Sequence, residues 1–350
     1  MSEEQVAGSE RTSPTRPQQL LLAGSVAAIA LGLLLLLGGA GLGSVEGFTR
    51  LFGALAMLVL GCGSGLVAIR GESRVAYLLL IPGGAWLILF YLIPMARLAV
   101  TSLQEGTLEQ GFRMAWKWSN FSEAFSTFGD QFLRSFLYAG IATAVALLIA
   151  YPLAYFIAFR AGRFKNLLLV MVLMPFLVPF LLRTLAWKIV LADDGFVADS
   201  LRALGIIAEN GRLLATSTAV VAGIVYNFLP FMTLPIYVSL EKVDHSLLEA
   251  ASDLYAKPAT AFAKVTWPLS RPGVVAGTLL TLIPAAGDYV NATLLGTPRQ
   301  FMIGNVIQSR FLVVLDYPVA AALSFTLMLT ILALIIPYVR ATGTEDLAAA

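Results

Sequence analysis

The residues whose chemistry stands out lie in two places. The first is Asp288, with Tyr289 and Asn291, inside an apolar stretch from Val274 to Leu295. A charge in hydrocarbon costs at least about 2.5–3.5 kcal/mol on insertion scales, so this carboxylate needs a pairing or functional reason. It falls about 15 residues into the stretch, roughly 22 Å along a helix, in the outer half of a membrane. Pro284 and Gly287 precede it, loosening the helix and freeing backbone carbonyls. A carboxylate flanked by aromatic rings suits a polyammonium solute through ion pairing and cation–π contact. Trp187 and Tyr226 offer further aromatic walls. The other reading pairs Asp288 with Arg183 or Lys188 as a structural ion pair, and both readings stand at this point. Arg183 itself argues mildly against a purely cationic path.

The second place is the polar segment 241–272. Ser246 with Glu249 three residues later has the form of a capping box, which predicts a helix starting at Leu247. Leu247, Leu248, Ala251, Leu254 and Tyr255 then share one face at helical spacing. Glu249, Asp253 and Lys257 share another at i, i+4 intervals. Pro258 suits the first turn of a second helix, predicted to run to about Thr266 before Pro268. Two short helices with a bend are expected, as either an inert linker or a docking element.

The elements that must position these residues follow from composition. Of 350 residues, 58% are apolar and 13% charged, and the mean hydropathy is +0.82. Soluble domains are about 45–50% apolar and about 25% charged, so this chain lacks the surface a water-soluble protein needs. That excludes a soluble enzyme, a nucleic-acid-binding domain and a disordered protein. A spanning helix takes about 20 mostly apolar residues, and eight stretches qualify: Leu20–Leu42, Leu51–Ile69, Ala76–Val100, Phe136–Phe159, Leu167–Val190, Thr218–Leu240, Val274–Leu295 and Val319–Val339. Backbone groups in lipid must be satisfied within the segment, which makes them helices, and uninterrupted apolar runs such as Leu33–Leu37 exclude a β-barrel. The fold expected is all-α, a polytopic membrane protein of about eight transmembrane helices. Arg160, Arg163 and Lys165 form a tight basic connection without an acid, which reads as cytoplasmic. Counting outward puts both termini and the segment 241–272 on that side.

Residues 1–18 are polar and lack an apolar signal region, so they read as a disordered cytoplasmic tail. The first two stretches are rich in Gly, Ala and Leu, and 19–72 reads as an accessory helix pair beside a functional unit over 73–340, with 341–350 a cytoplasmic tail. Gly61, Gly63 and Gly65 lack a nucleotide-fingerprint spacing and suit close helix packing. A single cysteine, Cys62, allows no disulfide within the chain, and a single histidine, His245, excludes histidine-rich metal sites. No phosphate-loop motif is present, and no nucleophile elbow accompanies His245, so no catalytic, cofactor or metal residue is expected and energy must come from a partner. A secondary transporter would show inverted repeats and several intramembrane acids. A scaffold without transport would leave the capped segment unexplained.

Glu249-Ala250-Ala251, then Ala256 and Pro268-Leu269, resemble the EAA loop of ATP-binding-cassette importer permeases. The stretches Tyr151–Tyr155, Leu182–Trp187, Tyr226–Phe231, Ile283–Tyr289 and Met302–Gln308 extend the resemblance over roughly residues 76–338, nearest to permeases of the spermidine/putrescine type. The resembled loop usually has glycine where this chain has Tyr255. The resemblance implies a six-helix permease core, with Glu249, Ala250, Ala251, Asp253, Tyr255, Ala256 and Pro268 docking on an ATPase. It implies an ATPase dimer holding ATP and Mg, a second homologous permease chain, an extracytoplasmic binding protein and a place in a bacterial inner membrane. A polyamine is the expected solute, with another small solute as the alternative.

Overall fold

The computed structural model describes residues 83–208 and 211–342. The two N-terminal stretches, the tail and accessory-pair boundaries over 1–72, and nearly all of the C-terminal tail lie outside the described residues. Chain contacts fall into two compact units, Met1–Thr101 and Ser102–Ala350. The described part of the first is one long helix, α1 (Gly83–Ser102), with a π-helical turn at Ile88–Leu92.

The second unit opens with a hairpin, β1 (Gln104–Thr107) paired antiparallel with β2 (Gly111–Met114). There follow α2 (Ser119–Phe159), α3 (Lys165–Leu173), α4 (Phe180–Val190), α5 (Phe196–Ala203) and α6 (Ser217–Glu241). Then come α7 (His245–Asp253), α8 (Pro258–Ala286), α9 (Val290–Leu295), α10 (Ile303–Leu312) and α11 (Tyr317–Thr342). Among the described residues five helices are long and apolar enough to cross a membrane, or six if one bent pair counts as a span. The all-α membrane architecture is as expected; the eight-helix count is not reached within these residues.

Helices α2, α6 and α8 form the packed centre. Ala139, Ala142, Ala146, Ala150 and Ala154 recur along α2 with no exposed surface. Such a stripe lets helices approach closely where lipid gives no hydrophobic drive for association. Gly273 does the same for α8, since a Cβ there would sit 2.4 Å from the Pro235 carbonyl oxygen of α6. Tyr151 Oη and Ser270 Oγ, 2.8 Å apart, join α2 to α8 inside the core.

Three expected spans differ in shape. Phe136–Phe159 is the inner part of α2, whose 41 residues reach about 62 Å, twice the thickness of hydrocarbon. Its first turns hold Glu123, Asp130 and Arg134, which masked them in a hydropathy reading. They kink at Phe128 (φ −118°, ψ 18°). Leu167–Val190 is not straight: the limbs Gly162–Leu177 and Phe180–Val190 meet at 96°. Pro179 forces the break, because the residue before proline is driven out of the helical region, and Val178 is extended (φ −90°, ψ 132°). Val274–Leu295 is two helices, α8 and α9, broken at Gly287–Tyr289.

Candidate functional site

The connection between α6 and α8 is a capped helix, built differently at its start from the expected form. Its N-cap is Asp244, whose carboxylate accepts from the Ser246 N–H at 2.9 Å, and α7 begins at His245 rather than Leu247. An aspartate reaches the N–H two residues on without help from the Ser246–Glu249 pair, so the helix starts two residues earlier and gains His245 and Ser246. That N–H holds the Asp244 carboxyl below its ordinary range. The end of α7 is a Schellman closure: Ala256 N–H donates to Ala251 O at 3.0 Å and Tyr255 N–H to Ser252 O at 2.9 Å. The residue after the cap must be left-handed, and Tyr255 has φ +56°. This explains why glycine suits the position; a tyrosine costs about 1 kcal/mol there.

Pro258 begins α8 as expected, but Pro268 does not end it. A π-helical turn at Phe262–Thr266 widens the backbone ahead of the proline ring, and the helix continues to Ala286. Glu249, Ala250 and Asp253 are exposed, Ala251, Ala256 and Pro268 half-buried. Leu254 and Tyr255 are 82% and 96% exposed, an apolar pair with little cover from its own chain. The base of the segment is fixed by an ion pair between Lys165 and Glu241 and by Phe159 set edge-on to His245 at 5.5 Å.

At the other site the break after α8 is filled by side chains. Asp288 is buried, and one of its oxygens accepts from the N–H groups of Val290 (2.8 Å) and Asn291 (3.1 Å). The other accepts from the Asn291 amide. Asn291 Oδ1 in turn accepts from Asn227 Nδ2 at 3.1 Å and Thr184 Oγ1 at 3.4 Å. One network thus ties α4, α6 and α9 at the broken helix. Gly223 makes room for it, since a Cβ there would lie 2.7 Å from Asn291 Oδ1.

Of the expected residues, Asp288 and Asn291 are brought together. Trp187 and Tyr226 meet edge-on at 5.2 Å on α4 and α6, two of the three helices the network joins. Tyr289 is 42% exposed beside the buried carboxylate. The ion-pair reading of Asp288 is not realised: among the described residues neither Arg183 nor Lys188 forms a salt bridge with it. One of its oxygens is spent on the backbone that the chain break exposes and the other on the Asn291 side chain. Lys188 is exposed, while Arg183 is buried against rings of its own segment.

Sequence reasoning missed Thr184, Asn227 and Asn305 as structural partners. Asn305 Nδ2 donates to Tyr289 O (2.9 Å) and Thr293 Oγ1 (2.8 Å), clamping the break from α10. The signal was available, because each is a polar residue within a largely apolar helix. The hairpin was also missed. With the start of α2 and the turn before α11 it lines a cavity of about 710 Å³ that includes Glu105, Glu109, Glu123 and Asp316 against Lys117. It lies at the end of α2 away from the capped segment.

Residues 150–340 match the family described as binding-protein-dependent transport system inner membrane component. The chain is similar to the spermidine/putrescine transport system permease protein PotB of Haemophilus influenzae, 39% identical over 260 residues, 73% of this chain and 90% of that protein. PotB of Escherichia coli K12 is 36% identical over 258 residues, 73% of this chain and 94% of that protein. Among solved structures, a bacterial alginate ABC transporter in complex with an alginate pentasaccharide-bound periplasmic protein shares the fold. Its TM-score is 0.56 at 16% identity, over 79% of this chain and 96% of that one. Broken apolar helices around a polar network, a capped connecting segment and these similarities agree, and the chain belongs to the family of binding-protein-dependent transport system inner membrane components.

Proposed function

We propose that this chain is the permease subunit of an ATP-driven importer whose solute is a polyamine of the spermidine/putrescine class. The observation that carries the solute is the 39% identity extending over 90% of a spermidine/putrescine permease. The chemistry of the site is compatible with it. Tyr289, Trp187 and Tyr226 present aromatic faces, and the buried Asp288 carboxylate supplies a negative field behind them without being spent on an ion pair. The acid-lined cavity beside the hairpin attracts cations at the end of the bundle where solute enters.

In this reading the chain is a transport subunit, and ATP with Mg is held by a pair of partner ATPases. The exposed face of α7, with Glu249, Ala250, Asp253 and Tyr255, docks on one ATPase, and Ala251, Ala256 and Pro268 support it from the inner side. Because the helix is already capped at both ends, little ordering entropy is lost on docking. A second, homologous permease completes the pathway, and an extracytoplasmic binding protein delivers solute to the far end. The segment 241–272, the connection 160–165 and both termini face the cytoplasm. ATP-driven approach of the two ATPases moves the docked segments and switches the permease pair between outward- and inward-facing states as rigid bodies.

Uptake of labelled spermidine and putrescine by cells with and without this chain, its ATPase partner present, tests the reading. Uptake that requires both the chain and ATP hydrolysis is expected. Equal uptake in both strains, with the ATPase still co-purifying with the chain, would replace polyamine by another small solute.

A further inference from the structure

Arg183 is 7% exposed, and among the described residues its Nε and Nη1 atoms have no hydrogen-bond partner. Among the described residues no carboxylate forms a salt bridge with it. A buried cation without a counter-ion is costly and demands compensation. What compensates it here is aromatic: its Cζ lies 5.1 Å from the Phe176 ring centroid and 5.8 Å from that of Phe180. Both fall within cation–π range.

The contact crosses the break in the bent span. Phe176 belongs to the limb Gly162–Leu177 and Arg183 to the limb Phe180–Val190, which meet at 96°. The Phe176 ring is itself held edge-on by Phe231 of α6 at 4.8 Å. Phe228 stands beside Phe180 at 6.2 Å and beside Phe231 at 6.1 Å, so the seat is one aromatic cluster. One helical turn along the same limb is Trp187, against Tyr226.

We propose that Arg183 is a resident occupant of an aromatic cation seat, that an ammonium group of the passing solute displaces it, and that its release loosens the bend between the two limbs. A guanidinium held, among the described residues, by ring faces with two donor nitrogens unsatisfied yields readily to a second cation, which then takes the rings while the arginine turns toward water. Arg183 is therefore a specificity-determining residue that competes with the solute, not one that attracts it. The proposal rests on the polyamine reading.

The test uses the whole transporter in lipid vesicles: this chain, its partner permease, the ATPase and the binding protein. Spermidine-stimulated ATPase activity and uptake are measured against spermidine concentration. Arg183→Met, which frees the seat, is expected to lower the half-saturating concentration by about three- to ten-fold, the size of one contested cation–π contact. Phe176→Leu, which damages the seat, is expected to raise it by a similar factor. Arg183→Lys, which keeps the resident charge, stays close to wild type. If Arg183→Met does not assemble, a raised value in Phe176→Leu beside a wild-type value in Arg183→Lys supports the proposal, and a wild-type value in Phe176→Leu overturns it. Half-saturating concentrations equal to wild type in Phe176→Leu and Arg183→Met overturn the proposal alone. A wild-type transporter that spermidine does not stimulate overturns the polyamine reading and this proposal with it.

Discussion

The capped segment and the broken helix solve opposite problems with similar residues. At α7 an aspartate caps a helix in water, and the helix leaves Glu249, Asp253, Leu254 and Tyr255 facing outward. At α9 an aspartate serves the first N–H groups of a helix inside the bundle, and its other oxygen accepts from the Asn291 amide, which in turn accepts from Asn227 and Thr184. The first site is assembled by local chain and keeps its side chains free for a partner. The second is assembled from three helices and uses its side chains on itself. A loss at the first is therefore expected to appear in association, and a loss at the second in stability.

The largest effect is expected from Asn291→Ala. It strips a partner from Asp288 and from Asn227 in a buried setting, a cost of about 2–4 kcal/mol. Thermal unfolding of the purified chain in detergent reads it as a lowered midpoint; an unchanged midpoint would mean the network is slack. Glu249→Ala is next. It should weaken ATPase docking by about 5- to 30-fold, or about 1–2 kcal/mol, while the unfolding midpoint stays put. A shifted midpoint with normal docking would invert the contrast drawn above.

Tyr255→Gly relieves a left-handed tyrosine and should strengthen the end of α7 by about 1 kcal/mol. Slower hydrogen exchange at the amides of Tyr255 and Ala256 would report it; faster exchange would remove the strain argument. The smallest effect belongs to pH at Asp244. Its carboxyl titrates below the ordinary value in the folded chain because the Ser246 N–H favours the charged form. The cap is thus complete above about pH 4, the unfolded value, and is lost as pH falls through the folded one. Exchange at the start of α7 should accelerate on acidification in the wild type, relative to the intrinsic rate, and Asp244→Ala should flatten that dependence.

What the sequence made legible follows the same division. The membrane class, the capped segment and its bend were readable because hydropathy and helix grammar are local properties of the chain. Even there the cap was misplaced by two residues, since Asp244 and Ser246 are both good caps and only backbone geometry chooses between them. Pro284 and Gly287 marked the break before Asp288, and Pro175 and Pro179 were visible signs of the 96° bend, but apolar composition alone reads through a bend. The pairing of Asn291 with other helices was beyond reach. Thr184 and Asn227 lie 107 and 64 positions from Asn291 in the chain, and nothing local pairs them. The hairpin and the outer turns of α2 were hidden because their charged residues resemble any solvated loop.

Asp288→Asn and Glu249→Ala, compared side by side in cells that depend on spermidine uptake, put the division of labour to the test. The Asp288 variant should retain the co-purifying ATPase and lose most uptake, since a neutral amide removes the field behind Tyr289 and sets an NH₂ group against the Asn291 amide. The Glu249 variant should retain less ATPase and show reduced uptake. Normal uptake by Asp288→Asn, or full ATPase retention by Glu249→Ala, would contradict the account.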